Sequence, residues 1–323
     1  MKLFYLGPEG SFTFQAARIA GTKCFTNNEI EYVACASERE IFNNVEQGRG
    51  DGIIAWENNV EGYVATNLDR LMNSHNVAGT QRISLNIQFD AFVRPDCGEI
   101  TEVTAHPHGL AQCTQFIEEH NLREVPSSSN SAACKDLKPH QVALAPHKSG
   151  ELYGLHTWQE SVQDYAHAHT DFLLLQSREK ALDTNTIREN CGIECETILT
   201  VIPLSIGPGV IANLLDVFRD NGLNMTSLIS RPIKGVDGTY SFVITIDAAP
   251  WESSVQHVFQ EIEEHGDWLK IMAVYPQRTT HSLPIKQWNL PHRGINAMLT
   301  HMRVSQEHGL STDCDGESGE EQA

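Results

Sequence analysis

The sequence predicts an α/β protein with two domains, and two observations carry this prediction. Strand-like and helix-like segments alternate through the first half of the chain, and residues 196–276 follow a β-α-β-β-α-β order. The length of 323 residues suits two domains, at roughly 100–200 residues each. With 40% hydrophobic and 20% charged residues, the chain can bury a core, so we expect a folded globular protein.

The first segments alternate in a pattern typical of a mostly parallel sheet with helices on its faces. Lys2–Leu6 is a buried strand, and Ser11 can cap the helix that follows. Ser37 stands three residues before Glu40, which predicts a capping box at the start of a second helix. Gly52–Trp56 is a further buried strand.

A second unit of the same kind is predicted at about residues 79–157. Its strands are expected near Leu85–Val93, Glu102–Ala105 and Val142–Ala145, and a helix is expected at 109–120. A strand at Phe172–Leu175 completes the first domain, which we place at 1–177.

The polar segment 178–195 is predicted to be a linker to the second domain. Over 196–276, the order of strands and helices is the ferredoxin-like one. Residues 277–323 form a C-terminal extension that we predict to be partly disordered, because its last part is acidic and rich in Gly and Ser.

The charge balance excludes several classes of partner. Lys and Arg number 23 against 42 Asp and Glu, for a net charge of -19. A field of this sign repels nucleic acid and anionic membranes, so we expect neither as a partner. An acidic substrate would need a local pocket of hydrogen-bond donors. Eight Cys occur without paired CxxC motifs and no apolar run is long enough to span a membrane, so we expect a cytoplasmic protein with free thiols.

Polar residues follow strand ends and precede helices, where α/β proteins bind ligands. Glu57, Asn58 and Asn59 follow a buried strand. Helix starts near Ser11 and Ser129 offer unpaired N–H groups suited to anions. The sequence has no P-loop, dinucleotide fingerprint or GxSxG motif, and its His pairs lack further ligands at zinc-like spacing. We therefore expect neither a metal nor a cofactor.

Several motifs occur in an order that resembles the prephenate dehydratase family with a C-terminal ACT regulatory domain. In the first domain they are Gly7–Ala17, Glu57-Asn58 with Glu61-Gly62, His106–Cys113, Ser129–Ala133, Tyr153–Leu155 and Thr170–Leu173. In the second domain they are Gly207–Ile211, Asn224–Thr226 and Ser230–Pro232. The resemblance implies a two-lobed catalytic domain of the periplasmic-binding-protein-like type, followed by the ACT domain.

The resemblance also implies a reaction, the conversion of prephenate to phenylpyruvate with loss of CO₂ and water in phenylalanine biosynthesis. It assigns Thr170 to the departing hydroxyl, and Glu57, Asn58 and Gln112 to substrate orientation. Substrate contacts are expected at Ser11, Ser129, Ser131, Asn59 and Asp171. A phenylalanine effector is expected at Gly209, Val210, Ile211, Asn224, Met225, Ser230 and Arg231, in a homodimer or homotetramer.

One departure from the family pattern affects the charge of the site, because the Arg that follows the motif Thr is Asp171 here. At ~5 Å and an effective dielectric constant of ~20, each unit charge contributes ~3 kcal/mol before screening. If position 171 faces the dianionic substrate, Asp171→Arg should improve prephenate affinity. If the family Arg makes a structural ion pair instead, the exchange only reshapes the loop.

Other departures leave alternative functions open. Polar residues expected in the first helix, before the His-Pro motif and before Thr170 are Phe14, Ala105 and Ala168. This loss suits a prephenate decarboxylase, which would yield dihydro-4-hydroxyphenylpyruvate. A non-catalytic amino-acid sensor is a second alternative: Asp171 favours it, and the retained set of Glu57, Asn58, Gln112 and Thr170 argues against it. Ile229 replaces an acid expected before Ser230, which argues against regulation by phenylalanine.

Overall fold

The computed structural model describes residues 1–25, 29–191, 194–205 and 207–277. These residues belong to one compact unit, Met1–Gln277, in which helices flank two β-sheets. The α/β class predicted from the sequence is therefore confirmed. The extension predicted at 277–323 lies, apart from Gln277, outside the described residues.

The first part of the chain contains β1 (Lys2–Leu6), α1 (Phe12–Cys24), β2 (Glu31–Cys35), α2 (Glu38–Glu46), β3 (Asp51–Asn58), β4 (Gly62–Tyr63), α3 (Ala65–Asn73) and β5 (Val77–Asn86). The middle part contains β6 (Asp90–Val93), β7 (Glu102–Ala105), α4 (Pro107–Ala111), α5 (Thr114–Glu119), β8 (Arg123–Pro126), α6 (Asn130–Lys135), β9 (Gln141–Ala145), α7 (His147–Tyr153) and β10 (His156–Gln159). The last part contains β11 (His169–Ser177), α8 (Arg178–Ala181), α9 (Thr184–Cys191), β12 (Cys195–Ile202), α10 (Val210–Asp220), β13 (Met225–Pro232), β14 (Tyr240–Ile246), α11 (Ser253–Glu264) and β15 (Trp268–Pro276).

The larger of the two sheets, here called the large sheet, has the order β13-β14-β12-β15-β5-β11-β3-β1-β2, with β4 paired to β3. Strands β2, β1 and β3 are parallel to one another, but β11 is antiparallel to both β3 and β5. In the first half of the chain, β2, β1, β3 and β5 run in the same direction, as predicted, and the short β4 runs against β3. The sheet is nevertheless mixed at its centre, at β11. The reason is that β11 returns to the large sheet after a long excursion and runs against both of its neighbours.

The second sheet, the small sheet, has five strands in the order β10-β6-β9-β7-β8. The chain leaves the large sheet at the end of β5, so the strand predicted near Leu85–Val93 is split between two sheets. The helix predicted at 109–120 is also divided, into α4 and α5. Asp164 accounts for this break, because its carboxylate accepts the backbone N–H groups of Thr114 and Gln115 and thereby caps α5.

The C-terminal elements run in the order β12, α10, β13, β14, α11, β15, and α10 and α11 pack with the strands around a common apolar cluster. Their antiparallel strands extend the large sheet, because β15 pairs with β5 where Ala273 lies opposite Gly79. Two short helices, α8 and α9, occupy most of the segment predicted to be a linker. The structure thus joins the two halves of the chain through a continuous sheet.

We predict that Gly79→Ala destabilises the protein by about 1–3 kcal/mol, the usual cost of overpacking a core. A Cβ at this position would lie 2.7 Å from Leu173 Cδ2 and 2.8 Å from Ala273 Cβ. Equilibrium unfolding in denaturant measures the change. Gly98→Ala is the matched control, since its Cβ would meet no atom within 4 Å. Equal stability of the two variants would contradict close packing at this junction.

Candidate active site

A cleft of about 1030 Å³ opens between the two sheets and receives residues from both. From the large sheet and its connections come Ser11, Phe12, Asn58, Glu61, Tyr63, Thr170 and Phe172. From the small sheet and its connections come Phe89, His106, His108, Gln112, Ser129, Asn130 and Lys135. The carboxyl ends of the parallel strands β1 and β3 reach this cleft, which is where α/β sheets bind ligands.

Thr170 and Asn58 form the hydrogen-bonded centre of the large-sheet side. They lie opposite each other on the antiparallel strands β11 and β3. Asn58 Nδ2 donates to Thr170 Oγ1 over 3.0 Å, so the hydroxyl oxygen acts as an acceptor and its hydrogen can point elsewhere. Because Thr170 and Asn58 both line the cleft, a ligand there can receive that hydrogen.

The network continues across the cleft through Glu61, which belongs to one of the family-like motifs but was not among the predicted site residues. Asn58 Oδ1 accepts the backbone N–H of Glu61 over 3.1 Å. The Glu61 carboxylate in turn accepts Gln112 Nε2 over 3.1 Å and lies 3.1 Å from His108 Nδ1. Thr170, Asn58, Glu61 and Gln112 therefore form one chain of hydrogen bonds that joins both sides of the cleft.

His106 contributes a second polar group that was absent from the predicted site. Its Nδ1 accepts the backbone N–H of His108 over 3.3 Å. Burial, together with the neighbouring His108, lowers the pKa of His106 and favours its neutral ring. With Nδ1 acting as an acceptor, the ring hydrogen resides on Nε2, which makes that atom a hydrogen-bond donor.

The three predicted substrate-binding serines have defined partners. Ser11 Oγ accepts the backbone N–H of Phe14, and Ser129 Oγ accepts that of Ala132. Both serines are helix caps at the edge of the cleft. Ser131 Oγ instead donates to the carbonyl of Glu9 over 2.7 Å, which ties the β1–α1 turn to the small-sheet side.

Ser149 makes a second connection to the same turn, as its hydroxyl donates to the Gly10 carbonyl over 3.0 Å. Gly10 has φ +85°, a conformation that favours glycine. A Cβ there would also lie 3.1 Å from Ser131 Oγ and 3.2 Å from Ser149 Oγ. The turn is thus held closely between the two sides of the cleft.

The structure places Glu57 and Asp171 outside the cleft lining. Each is the neighbour of a cleft residue, and successive side chains on a strand point to opposite faces. Behind the cleft, Arg82 Nη2 lies 3.1 Å from Glu57 Oε2 and 2.6 Å from Asp171 Oδ2. Arg82 Nη1 lies 3.2 Å from Glu196 Oε2 and 3.5 Å from the Tyr275 hydroxyl. We call these five residues the Arg82 cluster.

The Arg82 cluster distinguishes between the two hypotheses for position 171, a contact with the substrate and a structural ion pair. The Asp171 side chain is only 1% exposed, and it also accepts a hydrogen bond from Ser84. The geometry therefore corresponds to the structural ion pair rather than to a contact with a ligand in the cleft. Asn59 also has a structural role, because its side chain donates to the His167 carbonyl and accepts the backbone N–H of His169.

The predicted effector residues lie around the start of α10 and along the edge strand β13. Val210 and Ile211 open α10, whose cap is Gly209 with φ 91°. Arg231 makes a two-point ion pair with Asp69 of α3, at 2.9 and 3.0 Å. Asn224 Nδ2 donates to Asp247 over 2.6 Å. Met225 and Ser230 lie on β13.

Within the described ranges, no group of three or more His, Cys, Asp or Glu side chains is arranged to hold a metal ion. The described helices also include none with the length and apolar character needed to cross a membrane.

Comparison with known proteins identifies the family. The model of the family named prephenate dehydratase matches residues 3–180. The prephenate dehydratase of Amycolatopsis methanolica is 31% identical over 251 residues, which cover 76% of this chain and 79% of that protein. The chain therefore belongs to the prephenate dehydratase family.

Two solved structures share the fold. A prephenate dehydratase from Arthrobacter aurescens in complex with L-Phe has a TM-score of 0.75 and 23% identity, and the match covers 97% of this chain and 100% of that one. GqqA, described as a quorum quenching acylase, has a TM-score of 0.72 and 20% identity over 86% of this chain and 99% of that one. One fold thus carries different activities, and the activity has to be argued from the site.

We predict that Asp171→Arg lowers the melting temperature strongly, because two guanidinium groups would then meet in a buried position. Breaking a buried ion pair costs about 3–5 kcal/mol. Asp171→Asn, which keeps an oxygen acceptor for Arg82 and Ser84 and leaves Arg82 paired with Glu57 and Glu196, should lose much less. Thermal unfolding monitored by circular dichroism measures both effects.

The control for this experiment is Lys148→Glu, which breaks the exposed 2.8 Å pair with Glu151 and should change stability by less than about 1 kcal/mol. If Asp171→Arg kept the wild-type melting temperature and bound prephenate more tightly, the side chain would face the substrate and the structural assignment would be wrong.

Proposed function

We propose that this protein is a prephenate dehydratase, a lyase that converts prephenate to phenylpyruvate, CO₂ and water in phenylalanine biosynthesis. Membership of the family supports this proposal. The observation that carries it is the Thr170–Asn58 pair at the centre of a cleft between two sheets.

The reaction needs a hydrogen-bond donor at the departing hydroxyl. Prephenate, a dianion, takes up one proton as its ring carboxylate leaves as CO₂ and its hydroxyl leaves as water, and the ring becomes aromatic. Because Asn58 donates to Thr170 Oγ1, the Thr170 hydroxyl can donate to the leaving oxygen and stabilise the charge that develops there. A threonine hydroxyl is a weak acid, so its contribution is a hydrogen bond rather than the proton itself.

Local donors have to overcome the net charge of -19. The 13-residue helix α1 begins at the cleft, and its N-terminus carries partial positive charge and unpaired N–H groups. Lys135 lines the same cleft. These groups favour an anionic ligand at this place although the protein as a whole repels one.

The positions of Phe14, Ala105 and Ala168 weaken the argument for a decarboxylase. Ala105 and Ala168 are buried in one apolar cluster of the small-sheet side, and Phe14 packs against another. None of the three lines the cleft. We therefore retain the dehydratase as the single candidate among the lyases.

An acylase activity like the one named for GqqA has less support. A nucleophilic threonine needs an adjacent base to remove its proton. The partner of Thr170 Oγ1 is the Asn58 amide, which donates to it and cannot act as a base. The geometry suits a hydrogen-bond donor better than an activated nucleophile.

The proposal includes a domain organisation and a regulator. Residues 1–177 would be a two-lobed catalytic domain of the periplasmic-binding-protein-like type, with 178–195 as linker and 196–276 as an ACT domain. The β-α-β-β-α-β order from β12 to β15 supports the ACT assignment. Phenylalanine is proposed as the effector, in a homodimer or homotetramer.

The test is a product assay on wild-type protein and Thr170→Val. Wild type should convert prephenate to phenylpyruvate, and loss of the hydroxyl should lower kcat by about 100-fold or more without lowering the melting temperature much. Thr170→Ser, which keeps the donor, should retain most of the activity. Release of CO₂ with a non-aromatic keto acid would identify a decarboxylase, and absence of turnover would leave the sensor.

We expect millimolar L-phenylalanine to raise the melting temperature, because a ligand that binds only the folded state stabilises it by mass action. Leucine at the same concentration is the control. Differential scanning fluorimetry measures both, and equal curves with and without phenylalanine would remove the regulatory proposal while leaving the catalytic one intact.

A further inference from the structure

We infer that Glu61 is a specificity-determining residue whose carboxylate occupies an anion site of the cleft and is displaced by a carboxylate of the substrate. The inference rests on the proposed function for the identity of the substrate, but the anion site itself does not depend on turnover. Its basis is the pair of contacts that Glu61 makes with Gln112 and His108.

The contacts of Glu61 are those a bound carboxylate would make. Its Oε1 accepts the Gln112 amide over 3.1 Å, and its Oε2 lies 3.1 Å from His108 Nδ1. Gln112 is only 7% exposed, so its amide is a preorganised donor rather than a mobile surface group. The Glu61 carboxylate can only accept hydrogen bonds, so the N–H₂ side of the Gln112 amide faces it. The other amide atom, Oε1, is buried and has no hydrogen-bond partner among the described residues.

Glu61 can leave this position more easily than Gln112 can. Its side chain is 37% exposed and that of His108 is 71% exposed, so an outward rotation transfers the carboxylate to water. The backbone of Glu61 stays anchored, because its N–H donates to Asn58 Oδ1. A side-chain rotation therefore frees the donors without disturbing the Asn58–Thr170 pair.

The charges around the cleft explain why such a residue would discriminate between ligands. Glu38, Glu61 and Asp136 are the carboxylates of the lining and Lys135 is its lysine. While Glu61 occupies its site, it repels any anion and withholds the Gln112 donor. A ligand replaces it favourably only by bringing a carboxylate of its own, so neutral ring compounds are excluded and dicarboxylates are favoured.

The experiment compares Glu61→Gln with wild type in two assays. In steady-state kinetics with prephenate, the variant should show a KM lowered at least threefold, because the competing charge is gone. In isothermal titration calorimetry with isophthalate, an aromatic dicarboxylate that does not react, the variant should bind at least threefold more tightly. The second assay works even if the protein does not turn prephenate over, so the two proposals can fail separately.

Glu118→Gln is the matched control, since it removes the same charge from an exposed site on α5 and should leave both values unchanged. Cyclohexanol, a neutral ring compound, tests the exclusion and should bind more tightly to Glu61→Gln than to wild type. An unchanged or raised KM together with unchanged or weaker isophthalate binding in Glu61→Gln would overturn the inference and show that Glu61 holds Gln112 in place for the substrate. The same gain in Glu118→Gln would also overturn it, because the effect would then come from net charge alone.

Discussion

The guanidinium of Arg82 is the interaction on which the site most depends. It lies 3.1 Å from Glu57, 2.6 Å from Asp171 and 3.2 Å from Glu196, so one buried cation serves three carboxylates from three strands. At ~4 Å and an effective dielectric constant of ~20, each such contact is worth about 4 kcal/mol before desolvation is subtracted. Without this cation, the three acids would be forced close together with little water around them.

The Arg82 cluster lies on the face of the sheet opposite the cleft and supports the cleft residues from behind. Glu57 precedes Asn58 on β3, and Asp171 follows Thr170 on β11, so the side chains of each pair point to opposite faces of the sheet. Anchoring the acids on the rear face orients the amide and the hydroxyl on the front face. Glu196 and Tyr275 bring β12 and β15 into the same cluster, so the C-terminal strands take part in supporting the site.

Local features of the fold could be predicted from the sequence because their causes lie within a few residues. Ser11 and Ser37 cap helices in the structure as their spacing indicated. The break between β5 and β6 could not be predicted, because a buried apolar run looks the same whether it continues in one sheet or passes to another. The direction of β11 likewise depends on a return from the small sheet that no local pattern records.

In the candidate site, too, local features could be predicted from the sequence and long-range contacts could not. Motif resemblance pointed to Asn58, Gln112 and Thr170, which the structure brings to the cleft. It also pointed to Glu57 and Asp171, which lie outside the cleft lining. A motif includes adjacent residues of a strand but does not show which face of the sheet each side chain occupies. Arg82 could not be predicted as a partner of Asp171, because the two residues lie 89 positions apart in the chain. Glu61 stood within a quoted motif, but only its contact with Gln112 on the other side of the cleft reveals its position.

The contact between Gly79 and Ala273 has a consequence for how the chain can be divided. Strand β15 pairs with β5 at Gly79, on the side that does not face β11, and Met272, Ala273 and Tyr275 of β15 pack in the same apolar cluster as Val77 of β5. A fragment ending near residue 180 would therefore expose the backbone at this position together with apolar side chains. Such an edge invites pairing with other chains and aggregation. The C-terminal strands therefore shield this edge as well as extending the large sheet.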